Sequence, residues 1–441
     1  MMMTSKSTCV ALRGAVLSFS GDPFQSDLDT VMHYESDGLV WLEDGRIKQV
    51  GPAVQLLRQL PAGMEPVDYR DCLILPGFID CHTHYPQLQV IGAFGEQLID
   101  WLNRYAYVTE QAFGDPECAH EAARIFLRET LRAGTTTAAV YCTVHSASVD
   151  SFFEESERLN MRNIAGKLLM DRNAPEPLLD SPQRGYDESK ALINKWHGRG
   201  RQLYAITPRF AATSSAEQME MAGALWSEHP GTYLQSHIAE NRDEMTWVKQ
   251  LYPERADYLD VYEHYGLLGP RAIYGHGIHL TESELQRCYE TGTGIAHCPT
   301  SNFFLGSGCF DLGNAKRSSR PVRVGLASDV GAGTSLSMLQ TLNEAYKAAQ
   351  FNGFPLNPAQ AFYLATRGSA EALYLEERIG GIAPGMEADL LVLDLHSTPL
   401  IEYRMRHAGD LMEALFIQMT LADERATRAT YLAGSLVYER D

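Results

Sequence analysis

Two histidines separated by one residue, His82 and His84, are the strongest local signal for chemistry in the 441-residue chain. They follow an apolar run with the composition of a β-strand. Alternate residues of a strand point to one face, so both imidazoles are able to reach a single ion. A His-x-His pair alone is a weak signal, because surface and core histidines are common. The pair therefore needs support from elsewhere in the chain.

Support comes from polar residues that end other apolar runs. His237 closes a run at 232–237, His276 closes the next, and Asp329 follows the last. If these runs are parallel strands of a barrel, their carboxyl ends meet on one face and residues distant in sequence line one pocket. The placement predicts a shared site at that face.

The chemistry expected there is that of a metal ion with an open position. Three neutral imidazoles and one carboxylate suit a borderline divalent ion such as Zn²⁺. Such an ion lowers the pKa of water to about 7 and so supplies a nucleophile near neutral pH. The predicted ligand set is His82, His84, His237 and Asp329.

Glu240 is the candidate proton carrier. It lies three residues after His237, in the loop that leaves the predicted strand. A single Glu is ordinarily a solvated surface carboxylate, and only the neighbouring His237 makes a role in catalysis the better interpretation. From this position the carboxyl group is expected to face water or substrate.

Eight apolar runs position these residues, and helix-like stretches alternate with them. Runs such as residues 136–140 lack apolar/polar alternation, which is typical of parallel strands buried on both faces. The order predicts an α/β fold, a (β/α)8 barrel of the TIM type, and the span 72–331 matches the about 250 residues usual for it. The predicted strands lie near 72–81, 135–141, 164–170, 203–207, 232–237, 272–276, 294–298 and 322–327. Predicted helices include 121–132, 187–196, 216–228 and 281–289.

Both ends of the chain carry short strand patterns. Residues 38–50 indicate a hairpin with an Asp-Gly turn, and residues 388–394 and 430–438 indicate further strands. A small β-sandwich domain built from both termini is expected. The predicted division is 1–71 and 384–441 for that domain and 72–383 for the barrel. The long first connection, 85–134, is expected to cover the active site, with Trp101, Tyr105 and Tyr107 as ordinary packing.

Composition excludes several function classes. The net charge of −19, from 37 Lys and Arg against 56 Asp and Glu, repels nucleic acid and anionic membranes. No apolar run approaches the roughly 20 residues of a membrane span, and Arg13 interrupts the N-terminal apolar run before a signal peptide forms. The eight cysteines form no C-x-x-C pair, which favours a reducing cytoplasm.

Together the motifs resemble the amidohydrolase superfamily over nearly the whole chain, within it the deaminases with one metal ion, and most closely those that act on guanine. The resemblance rests on segments 76–87, 134–137, 207–210, 237–240, 275–277, 298–302 and 328–331. It implies one zinc ion on the ligand set above, with Glu240 moving protons, Asp329 accepting a proton from water and His276 stabilising charge on the attacking oxygen. No lysine ends the fourth predicted strand, which favours one metal over two.

For the substrate, the resemblance implies that Gln87, Arg209 and Phe210 contact a purine, together with His237 and Glu240. An amide donates and accepts, a guanidinium donates to an exocyclic oxygen, and a phenyl ring stacks on a base. Arg209 by itself is equally compatible with a structural ion pair. The implied reaction is hydrolytic deamination of guanine to xanthine by a homodimer.

Two alternatives stay open at this point. The first keeps the metal centre but changes the substrate to another aminopurine, a pterin or a chlorinated heterocycle, because pockets vary within a superfamily. The second is a barrel without metal that scaffolds partners. His145, His279 and His297 also lie near strand ends and are expected to pack or to support the ligands, while Cys81 and Cys298 are expected to be small buried hydrophobes.

Overall fold

A parallel barrel and a second sheet from the chain termini make up the fold in a computed structural model, which describes residues 9–95 and 97–440. Residues 1–8 of the predicted N-terminal domain, Glu96 of the first connection and Asp441 lie outside the described residues. The strands, numbered β1 to β16 in chain order, are Cys9–Phe19, Met32–Glu43, Arg46–Pro52, Val67–Pro76, Phe78–His84, Thr135–Tyr141, Arg162–Gly166, Leu168–Leu169, Leu203–Pro208, Tyr233–Ile238, Ala272–His276, Gly294–His297, Arg323–Leu326, Leu390–Asp394, Thr427–Leu432 and Ser435–Glu439.

The α-helices, numbered α1 to α18, are Leu28–Val31, Ala53–Leu56, Leu98–Trp101, Tyr107–Glu110, Pro116–Arg132, Ser146–Arg158, Pro182–Trp196, Ala216–Glu228, Arg242–Leu251, Tyr258–His264, Glu282–Thr291, Pro299–Phe304, Leu312–Ala315, Met338–Phe351, Pro358–Tyr363, Ser369–Ala372, Pro399–Met405 and Leu411–Leu421. Short 3₁₀ segments are Leu57–Gln59, Tyr85–Val90, Gln111–Gly114, Glu176–Leu178, Ala211–Thr213 and Glu424–Ala426, and π segments are Leu102–Ala106 and Leu364–Gly368. Among the described helices, none is long and apolar enough to cross a membrane.

The predicted (β/α)8 barrel is confirmed. Its strands pair in parallel in the order β5-β6-β7-β9-β10-β11-β12-β13, and the two-residue β8 pairs beside β9. The chain just after β13 closes the barrel against β5, because the Asp329 N–H donates to the His82 carbonyl at 2.9 Å and the His84 N–H donates to the Val330 carbonyl at 2.7 Å. Every residue of β6 is buried, as its uninterrupted apolar pattern predicts.

The first predicted strand, 72–81, is wrong in its bounds. The structure divides this run at Gly77: β4 pairs with β1 and β14 in the terminal sheet, and β5 opens the barrel. A Cβ atom on Gly77 would lie 2.1 Å from Thr136 Oγ1, so only glycine allows the chain to pass this close to β6. The predicted boundary before residue 72 therefore cuts through β4. The other domain boundaries stay predictions.

The second sheet combines both termini in the order β16-β15-β14-β4-β1-β2-β3. It is one continuous sheet folded over a shared core rather than two separate sheets, since Ile47 and Met386 pack in one cluster and the Tyr69 and Tyr431 hydroxyls lie 2.8 Å apart. The predicted hairpin turn is present, with positive φ at Asp44 and Gly45.

Two barrel helices begin five residues earlier than predicted. Pro116 starts α5 and Pro182 starts α7, because proline fits the first helical turn, where its missing N–H has no partner to lose. The side chains of Asp115 and Ser181 cap these starts by accepting backbone hydrogen bonds.

A buried ion cluster joins the barrel to the terminal sheet. Glu387, just before β14, accepts hydrogen bonds from Arg162 Nε at 2.8 Å and from Arg201 Nη2 at 2.7 Å. Arg201 also pairs with Asp389. Burial alone would raise the pKa of Glu387, but the two guanidinium groups hold it below its usual value. This cluster ties the start of β7 to the start of β14.

We expect Glu387→Ala to lower the free energy of unfolding by about 3–5 kcal/mol, because it leaves two buried guanidinium groups without their shared carboxylate. Urea unfolding followed by circular dichroism measures the change. The matched control is Glu157→Ala, which removes an exposed pair with Arg199 and should cost less than about 1 kcal/mol. An equal decrease in the free energy of unfolding for the two variants would show that the buried ion cluster does not stabilise the contact between the barrel and the terminal sheet.

Candidate active site

Three imidazoles and one carboxylate meet at the carboxyl ends of the barrel strands. His82 Nε2 and His84 Nε2 lie 3.3 Å apart, and His237 Nε2 lies 3.2 Å from His84 Nε2. Asp329 Oδ1 is 3.3 Å from the Nε2 atoms of both His82 and His84. The structure therefore brings together all four members of the predicted ligand set.

The spacing of these atoms fits a metal ion. An ion about 2.0–2.1 Å from each of four tetrahedral ligands separates the ligand atoms by about 3.4 Å. Burial lowers the pKa of His82, takes that of His84 to about 3 and takes that of His237 well below its usual value, so the rings are neutral and offer lone pairs. His237 Nδ1–H donates to the Arg209 carbonyl at 2.7 Å, which leaves Nε2 facing the cluster.

Cys298 lies beside this cluster but differs from it chemically. Its Sγ is close to His82, His276 and Asp329, so these four residues form a second possible group of ligands. The thiol donates to the Ala296 carbonyl at 3.3 Å, and burial raises its pKa well above the usual value. A protonated thiol is a poor ligand. The imidazole and carboxylate set fits an ion better, in keeping with the expectation for Cys298.

The backbone is unusual where site residues leave their strands. Ala239, His276 and Asp329 have φ values of 48°, 72° and 49°, in the left-handed region that non-glycine residues rarely adopt. Such conformations cost free energy and persist where the surrounding structure enforces them, which is common at functional sites. The turns direct Glu240, His276 and Asp329 into the same pocket.

Glu240 and His276 face each other beside the ligand cluster. Glu240 Oε2 is 3.4 Å from His276 Nε2, and His276 Nε2 is 3.8 Å from Asp329 Oδ2. Glu240 Oε1 has no hydrogen-bond partner among the described residues although it is buried. Burial, followed by the charges of Asp329 and Glu244, raises the pKa of Glu240 well above its usual value. The carboxyl group is thus suited to carry a proton.

Two residues without a predicted role hold this pair in position. His276 Nδ1–H donates to Asn302 Oδ1 at 2.9 Å, which leaves Nε2 directed at Glu240. Glu244 Oε2 accepts from the backbone N–H groups of Glu240 and Asn241 at 2.9 and 3.0 Å, within a capping box that starts α9. Asn302 lies in segment 298–302, on which the family resemblance partly rests, but its spacing in the sequence does not reveal its partner.

The pocket above the ligands has an empty volume of about 420 Å³, part of which is open to solvent. Its apolar wall comes mainly from the first connection, as expected for a cover: Leu98, Trp101, Leu102, Leu305 and Ala332. Trp101 packs in a buried apolar cluster, as expected, and it also lines the pocket. Its Nε1–H has no partner among the described residues. Tyr105 is partly buried and packs against the apolar cluster that contains Trp101.

A buried carboxylate organises the polar wall of the pocket. Arg209 Nη1 donates to Glu110 Oε1 and Oε2 at 2.9 and 2.7 Å, and Gln87 Nε2 donates to Glu110 Oε1 at 2.9 Å. The Arg209 guanidinium also lies 5.2 Å from the Tyr107 ring centre. Arg209 therefore fits both interpretations offered by the sequence, a structural ion pair and a position at the substrate pocket, since it pairs with Glu110 and also borders the pocket. Sequence reasoning missed Glu110, which belongs to no recognisable motif.

The remaining predicted residues divide clearly. Phe210 lines the pocket and packs against Trp247 at 6.1 Å. His297 is buried against Phe310, and His279 Nε2–H donates to the Ser307 carbonyl at 3.0 Å. Neither these two histidines nor His145 belongs to a group of possible metal ligands in the described part of the chain.

The amidohydrolase family model matches residues 73–437. Guanine deaminase of Escherichia coli strain K12 is 47% identical over 443 residues, which cover 100% of both chains. The solved E. coli guanine deaminase superposes with a TM-score of 0.94 at 46% identity, covering 98% of this chain and 100% of that one. A guanine deaminase from C. acetobutylicum, solved with guanine in its active site, gives a TM-score of 0.84 at 27% identity, with 98% and 100% covered.

The match to the family model and the full-length relative agree with the barrel and with the cluster at its carboxyl face. The chain belongs to the amidohydrolase family.

Proposed function

We propose that the protein is a guanine deaminase, which converts guanine and water to xanthine and ammonia with one zinc ion per chain. The single observation that carries the proposal is one pocket that borders both the predicted metal-ligand cluster and a polar wall suited to a purine. Glu240 and His276 border the first, and Gln87 and Arg209 form the second. The names of the full-length relatives support guanine as the substrate.

Zinc would be held by the side chains of His82, His84, His237 and Asp329. When bound, the ion would supply Lewis acidity that gives a nucleophile from water near neutral pH. Three imidazoles and one carboxylate also suit iron, so metal analysis of the purified protein decides between the two.

The chain's own residues move the protons. Asp329 accepts a proton from the attacking water, and Glu240 carries a proton to the ring nitrogen next to C2. His276 is positioned by the hydrogen bond that its Nδ1–H donates to Asn302. In its doubly protonated form, Nε2 also carries a hydrogen and stabilises the charge that develops on the attacking oxygen. Asp329 then passes the water's proton to the exocyclic nitrogen, and the remaining proton of the attacking hydroxyl group goes to Glu240. The C2–N bond breaks as the C2=O bond forms, so ammonia leaves and xanthine remains.

The pocket wall orients the base. Phe210 offers a ring on which the base stacks, and Gln87 and Arg209 form hydrogen bonds to its polar edge. His237 borders the bound base near the reacting carbon. The apolar wall around Trp101 excludes water from the reaction other than the attacking molecule.

Guanine loss at its ultraviolet absorbance, measured together with ammonia release, tests the proposal. Adenine, cytosine, 8-oxoguanine, a pterin and a chlorinated triazine are measured in parallel. We expect guanine to be turned over best, activity to disappear on chelation, and zinc to restore it. Preferred turnover of another heterocycle, or undiminished activity in a protein shown to be metal-free, would contradict it.

We also propose a reducing cytoplasm as the compartment and a homodimer as the assembly. The eight cysteines, all free in the structure, support the first, and the family resemblance supports the second. Fractionation of the source cells and light scattering on the purified protein test these two statements.

A further inference from the structure

Glu110 occupies a position from which it controls the polar wall of the pocket. It ends α4, in the connection between β5 and β6, and its side chain is fully buried. A buried carboxylate needs partners, and here both partners are residues that border the substrate pocket. Glu110 does not itself line that pocket.

The contacts of Glu110 fix which atoms of its partners remain for a ligand. An ionised carboxylate only accepts hydrogen bonds, so it binds the Nε2 end of the Gln87 amide and leaves Oε1 as the free end. Gln87 Oε1 has only a long contact of 3.5 Å with the Gly331 N–H. On Arg209, Nη1 is used by Glu110, while Nε and Nη2 donate to no group among the described residues.

We propose that Glu110 is a positioning residue that sets the substrate specificity of the pocket, by making Gln87 an acceptor and Arg209 a donor. This inference rests on the proposed function. The resulting pattern complements a lactam edge: Arg209 donates to the ring carbonyl oxygen O6, and Gln87 Oε1 accepts from the adjacent N1–H. A 6-aminopurine offers the reverse pattern and would leave both residues facing a like group.

The test compares guanine with 2,6-diaminopurine, which has the same amino group at C2 but an amino group in place of O6. Both release ammonia from C2, so one assay measures both. We expect the wild-type kcat/KM for guanine to exceed that for 2,6-diaminopurine by at least about 10³-fold, because a pocket built for one hydrogen-bond pattern leaves buried groups unpaired with the other.

In Glu110→Gln, the new amide offers its oxygen to Arg209 and its N–H group to Gln87. The Gln87 amide then turns to present Nε2 to the pocket. We expect kcat/KM for guanine to fall by about 10²-fold. The ratio of kcat/KM for guanine to kcat/KM for 2,6-diaminopurine, which measures the preference, should fall by at least about tenfold. Zinc content should stay at one per chain, since Glu110 contacts no proposed ligand.

The matched control is Glu155→Gln, a buried glutamate that also pairs with an arginine, Arg158, but lies on α6 away from the pocket. It should leave the preference unchanged. If Glu110→Gln does not fold, Glu110→Asp replaces it, because the shorter carboxylate is unable to reach both partners, and a narrowing of at least about threefold is expected. An unchanged preference in the folded variant overturns the role of Glu110, whereas no guanine turnover by the wild-type protein overturns the proposed function instead.

Discussion

Replacing Glu240 with glutamine should lower kcat for guanine by about 10²–10⁴-fold while zinc stays bound at one ion per chain. The variant keeps the shape of the side chain and its 3.4 Å approach to His276 but removes the exchangeable carboxyl proton. Glu240 is buried in the pocket with Oε1 unpartnered, while Asp329 belongs to the proposed ligand set and Glu244 accepts hydrogen bonds from backbone N–H groups, so no neighbour is expected to replace Glu240. Stopped-flow absorbance and metal analysis measure the two quantities.

The control for this variant is Glu284→Gln. Glu284 is also buried, but it belongs to the capping box of α11 and does not line the pocket. Near-normal turnover is expected for the control. Near-normal turnover in Glu240→Gln with zinc present would remove Glu240 from the proton transfers.

Replacing His82 with alanine should have a larger effect, namely loss of metal and activity together. His82 Nε2 lies close to both His84 Nε2 and Asp329 Oδ1, so the variant lacks one of the four proposed metal ligands. Residues that only support ligands contribute 10–100-fold to metal affinity, and a ligand should contribute more than about 100-fold. Zinc content after dialysis, measured beside turnover, gives the result.

His297→Gln is the companion variant, because His297 is a buried imidazole at the end of β12 but lies outside the proposed ligand set. It should retain one zinc ion per chain. Full zinc content with full turnover in His82→Ala would contradict the assignment of His82 as a ligand.

Much of the barrel could be predicted because parallel strands that are buried on both faces have a simple sequence pattern. Continuous apolar runs mark the strands, and β6 and β11 lie where their patterns predict them. The ligand residues could be predicted for a related reason, since strand ends in a barrel converge whatever the loops do. The positions of His82, His237 and Asp329 follow from the ends of the strands that carry or precede them.

The parts that sequence reasoning missed depend on contacts that no periodicity encodes. An apolar run does not say which sheet a strand joins, so the change of sheet at Gly77 required the close approach to Thr136 to be known. Glu110 lies in a long connection, where no strand fixes its position, and its partners are 23 and 99 residues away. Asn302, on α12, is likewise defined by its partner His276 at the end of β11.

The most direct test of the metal centre is a crystal structure of the zinc-loaded protein with anomalous diffraction measured on both sides of the zinc absorption edge. We predict one anomalous peak per chain, about 2.0–2.2 Å from Nε2 of His82, His84 and His237 and from an oxygen of Asp329. A zinc-loaded, active crystal with no peak among these four side chains, or with its only peak at another site, would contradict the proposed centre.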